Sequence, residues 1–215
     1  RQDDDDLEAR IKSFELAYRM QTDAREAFDV SLEKPETITK YGDNPQGRQM
    51  LIARRLLERD VRFVQVWQGG WDLHNGIAQR AQRNADQLDP AIGAIIDDLK
   101  DRGLFEDTLI YITSEFGRSI TEDGGGGRSH NARALSTVLL GGGIKGGIAY
   151  GETDELGGAA VKDKAHVKDI HATVLDLLGF DHEQLTFNTA GRDFRLTQAT
   201  NSLPQGGTPI KGIMS

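Results

Sequence analysis

Apolar and polar positions alternate along this chain in two rhythms, one helical and one extended. Leu7, Ile11, Phe14, Leu16, Tyr18 and Met20 are set among alanines and charged residues and predict a helix running to about residue 28. Pro35, after Glu33 and Lys34, suits the first turn of a short helix. The breakers at 41–47 mark a loop, and Met50, Ile52, Leu56 and Leu57 form the apolar face of a helix over 49–59. The run at 61–67, rich in Val and aromatics, then reads as a strand. Leu88, Ile92, Ile95, Ile96 and Leu99 give a helical stripe over 85–101, and a second apolar run at 108–113 reads as another strand. Strand, helix and strand in this order predict parallel strands whose carboxyl ends share one edge, where ligands bind in open α/β sheets.

Residues 120–133 are polar and hold four consecutive glycines, which suggests a mobile loop or lid. A strand is predicted over 134–140, followed by Gly141-x-Gly143-x-x-Gly146. Those glycines match a dinucleotide fingerprint in letters, but the residues after them are not helical, so a plain glycine-rich turn is the better reading. A last helix over 167–178 stops at Gly179. Residues 1–198 are expected to be part of one domain, with 199–215 a loose tail.

Composition narrows the chemistry. The 215 residues carry a net charge of −8 and a pI near 5.1, which argues against nucleic acid as a partner. No window approaches the roughly 18 apolar residues of a membrane span. There is no cysteine, so any metal would be held by imidazole and carboxylate. The opening Arg1-Gln2-Asp3 is not a targeting segment. With the chain starting without Met, this suggests the carboxyl-terminal part of a longer protein. The acidic run Asp3 to Asp6 is suited to capping the first helix.

Candidate site residues lie where apolar runs end. Asp72 and His74 follow the first strand within Gly69-Gly70-Trp71-Asp72-Leu73-His74, Glu115 follows the second, and His130 closes the glycine loop. A histidine beside an aspartate among glycines is poorly placed for core packing. Metal binding and ordinary loop hydrogen bonding are the competing readings. Arg118 and Arg128 flank the same loops and match phosphate or sulfate oxygens in shape; pairing with Glu122, Asp123 or backbone carbonyls is the alternative. His171 is expected to be half-buried on the last helix, and His166 and His182 on the surface.

These motifs resemble the metal-binding half of the alkaline phosphatase and sulfatase superfamily. They are closer to a bacterial branch, domain of unknown function 1501, whose members are often labelled sulfatase-like. The likeness is carried by Gly69-Gly70-Trp71-Asp72-x-His74, Glu115-Phe116-Gly117-Arg118, Gly127-Arg128-x-His130, Asp169-x-His171-Ala172-Thr173 and Gly191-Arg192-Asp193-Phe194. The fold it implies is a three-layer α/β sandwich with a mostly parallel sheet. For His130 to meet the other ligands, the strand over 134–140 must run antiparallel to its neighbours.

The resemblance implies that Asp72, His74 and His130 hold one metal, Zn or Mn. Glu115 takes the second site's carboxylate position, but Phe116 stands where a histidine is usual, so a weaker Mg, Ca or Mn site is implied there. It implies hydrolysis of sulfate or phosphate esters, with a small anionic ester such as a sulfated or phosphorylated sugar as substrate. The nucleophile is expected upstream of Arg1, and export to the periplasm or beyond is implied through longer members. The alternative is a catalytically degenerate relative that binds a metal or ligand without cleaving.

Overall fold

A computed structural model describes residues 5–23, 25–198 and 206–215. The chain divides into two compact units, Arg1–Arg102 and Gly103–Ser215. The acidic residues Asp3 and Asp4 lie outside the described residues, as do 199–205 of the expected tail.

The first unit is helical. Helices α1 (Asp5–Asp23) and α2 (Arg25–Phe28) occupy the first predicted helix, and the described side chains of α1 are exposed. Helix α3 (Pro35–Tyr41) begins on its proline. Helix α4 (Pro45–Leu57) starts earlier than expected because Asn44 caps it, its side chain accepting from the amides of Gln46 at 2.9 Å and Gly47 at 3.1 Å. Helix α5 (Ile77–Asp101) also starts earlier than the apolar stripe suggests and carries Pro90 in its interior. Its buried face is Ala91, Ala94, Ile95, Asp98 and Leu99, and it belongs to a core with Tyr41, Leu51 and Ala53.

A polar cluster is buried in that core. Arg54 is held by Glu58 at 2.7 Å, Glu33 at 2.8 Å and Asp98 at 3.6 Å, and Tyr41 donates to Asp98 at 3.0 Å. Burial pushes the Tyr41 hydroxyl well above its ordinary pKa, and the Asp98 carboxylate adds to the rise. Burial would raise Glu33 too, yet the Arg55 and Arg54 guanidiniums outweigh it and hold the carboxyl below its usual value.

The second unit holds the strands found among the described residues. They are β1 (Leu109–Ile112), β2 (Gly117–Asp123), β3 (Gly127–Asn131), β4 (Val138–Gly141), β5 (Glu152–Thr153), β6 (Ala160–Lys162), β7 (Thr186–Thr189) and β8 (Arg192–Arg195). Helix α6 (Val167–Leu177) lies between β6 and β7 in sequence, capped by His166, whose amide donates to Asp169 at 2.7 Å.

The expected sandwich around a mostly parallel sheet is not found. The described strands form four two-stranded ladders, β1–β4, β2–β3, β5–β6 and β7–β8, and every pairing is antiparallel. Residues 61–67 form no strand, and Phe63 and Trp67 are exposed. Extended propensity measures fit to a partnered surface, and without a ladder neighbour it does not make a strand. Within 134–140, residues 138–140 belong to β4, whose antiparallel partner is β1.

The glycine run predicted as a lid is a tight turn. Gly125 and Gly126 adopt positive φ, and the Gly126 amide donates to Glu122 at 2.9 Å, closing the β2–β3 hairpin. The 141–147 glycines likewise form turns after β4. Residues 206–215, read as loose, are tied to α6: Thr208 donates to Asp169 and Ile210 to Thr173, each at 2.8 Å. His182 is buried against Thr197 at 3.0 Å rather than at the surface, and His171 is exposed. Among the described residues no helix is long and apolar enough to cross a membrane.

Candidate metal centre

The loop carrying Asp72 and His74 is fastened to α5. Gln68 donates to the Asn84 carbonyl at 3.0 Å, and Asn84 returns a bond to the Gly70 carbonyl at 2.7 Å. Gly70 sits at φ +88°, a conformation that disfavours any side chain, and the chain turns there into the aspartate. Arg80 donates to Asn75 at 2.8 Å and closes the far end of the loop. Trp71 donates its indole N–H to Gln68 at 2.9 Å. Between the two candidate ligands Leu73 is buried, at 2% exposure. Asp72 is exposed and His74 half-buried on either side of it. His74 Nε2 lies 3.0 Å from Asp72 Oδ1.

His130 is the fourth residue of β3, and its cross-strand partner is Arg118. The end of β3 is held by Asn131, which donates to the Gly158 carbonyl at 3.1 Å and accepts from the Arg133 amide at 3.0 Å. The Phe116 and His130 rings are in contact, with centroids 4.2 Å apart.

Asp72, His74 and His130 each offer one ligand atom, and these atoms all lie within 4.8 Å of one another. Two imidazole nitrogens and one carboxylate oxygen fit a divalent transition metal by chemistry. Ligands at 2.0–2.1 Å around a tetrahedral ion stand roughly 3.3 Å apart. The Asp72–His74 separation is already near that value.

The other predicted residues are placed differently. Glu115 is exposed and stands outside that group; its carboxylate is 4.0 Å from Arg118. Its expected place depended on the carboxyl edge of a parallel sheet, which this fold lacks. Arg128 is the register partner of Glu122 in the hairpin. Sequence reasoning missed Leu73 as the anchor of the ligand loop and read Phe116 only as a lost ligand. The signal for Leu73 was an apolar residue alternating with two polar ones.

A family described as a protein of unknown function, DUF1501, matches residues 1–205. The chain belongs to that family. The match takes in Asp72, His74 and His130, so the grouped ligands lie inside the DUF1501 region. No curated protein and no solved structure matches the chain.

Proposed function

We propose that this DUF1501 chain supplies the metal-holding part of a hydrolase for sulfate or phosphate esters, akin to the alkaline phosphatase and sulfatase superfamily. The observation that carries the reading is the grouping of Asp72, His74 and His130, three neutral-pH ligands drawn from two separate stretches of sequence. A Zn or Mn ion bound there would supply Lewis-acid charge to a sulfuryl or phosphoryl oxygen. Asp72 brings the negative charge that offsets a divalent ion, and the two imidazoles bind it as neutral donors. Arg118 and Arg128, on the same hairpin as His130, are suited to orient the remaining anionic oxygens of a small ester such as a sugar sulfate or phosphate. Glu115, beside Arg118, would take a weaker Mg, Ca or Mn ion or steer the guanidinium.

A second reading has one observation in its favour. Phe116 occupies the position of an imidazole ligand in the superfamily, which points to a relative that keeps one metal and binds without cleaving. Metal content by plasma mass spectrometry tests both. One equivalent of Zn or Mn, lost in His74→Ala and in His130→Ala, is expected. Turnover of a fluorogenic aryl sulfate or phosphate then separates hydrolase from binder. No bound transition metal, with content unchanged in His74→Ala, removes both readings.

A further inference from the structure

We propose that Phe116 is the positioning residue of His130, restraining the imidazole through its ring face; the inference rests on the metal reading above. The phenyl and imidazole centroids are 4.2 Å apart and the planes are tilted by 35°. Arg118 places its guanidinium carbon 5.5 Å from the centroid of the same phenyl ring, within the roughly 6 Å reach of cation–π attraction. Phe116 is thus in contact with His130 and attracts Arg118, and those two residues are also cross-strand partners in the hairpin.

The backbone enforces this arrangement. Gly117 follows Phe116, and a Cβ there would stand 2.0 Å from the carbonyl oxygen of Ala134. Only glycine lets the chain pass so close, directly after the residue that carries the ring. A metal-binding histidine is ordinarily oriented by a hydrogen bond to its second nitrogen. An aromatic face restrains rotation of the imidazole without itself engaging either ring nitrogen. The aromatic residue at 116 therefore orients an imidazole where a second imidazole ligand would otherwise stand.

Cobalt(II) is the probe, because its visible absorption reports ligand geometry as well as affinity. Phe116→Leu is expected to weaken cobalt binding about three- to tenfold and to shift the ligand-field bands. Phe116→Tyr, which keeps the ring face, should restore affinity to within about twofold and restore the bands. In the metal-free protein the His130 ring protons should lose their ring-current shift in Phe116→Leu and keep it in Phe116→Tyr. Phe116→Met, of similar bulk and without a π face, takes the place of the leucine variant if that variant fails to fold. If Phe116→Leu matches the parent in affinity and spectrum while His130→Ala abolishes binding, the positioning role is wrong and the metal reading stands. If His130→Ala binds cobalt as the parent does, the metal reading fails and the positioning role fails with it.

Discussion

Gly117 is the residue at which the hairpin has least room. Substituting alanine would drive a methyl group against a backbone carbonyl, which cannot rotate away as a side chain could. Gly117→Ala is expected to cost about 1–3 kcal/mol in urea denaturation. It should also weaken the cross-strand contacts between Arg118 and His130 seen by proton NMR. A variant as stable as the parent, with those contacts intact, would show that the close approach to Ala134 is not maintained in solution. The candidate ligands were legible at this scale because each is a polar, metal-capable side chain next to glycine, where core packing is a poor explanation. Phe116 was not, since one letter does not reveal what its ring touches.

Among the elements, the helices followed their sequence signals most closely. Pro35 and Asn44-Pro45 mark two starts that chemistry dictates, and the stripe through Ile95 and Leu99 identifies the buried face of α5. The helix after Gly76 reaches back eight residues beyond its predicted start because Ile77 to Asn84 is polar and lacks an apolar period, though it contains no breaker. Strands were harder. Residues 61–67 have strand composition but no ladder, while 117–131 form a hairpin despite polar sequence and five glycines. Pairing is a property of two segments, and composition describes one.

Just before α3, Glu33 contributes an acid-sensitive carboxylate to the buried charge cluster. Its pKa lies below the ordinary 4.5 when folded, so its contribution is present above that pH and is lost as the pH falls through the folded value. Thermal midpoints should therefore drop as the pH is lowered below 4.5. Glu33→Gln should start lower at neutral pH and lose that part of the slope. An unchanged slope in the variant would assign the acid sensitivity to other carboxylates.

Across the whole molecule, the expectation of a parallel sheet failed for a reason that periodicity hides. A strand–helix–strand pattern suits a parallel crossover, but β1 takes β4 as its partner in an antiparallel ladder, with Leu109 opposite Gly141 and Ile112 opposite Val138. Asp72, His74 and His130 come together nonetheless, so the grouping did not depend on the fold class that first suggested it.

The pairing of strands only in twos has a consequence for how long backbone protons survive. Among the described residues every strand has one flank with no strand beside it, and two-stranded ladders are marginal on their own and open locally. In deuterated buffer the amides along α4 and α5 should be the slow ones, and outward amides of β1 through β8 should trade their hydrogen first. Lasting retention along both flanks of β1 would mean that a further chain segment lies against it in solution.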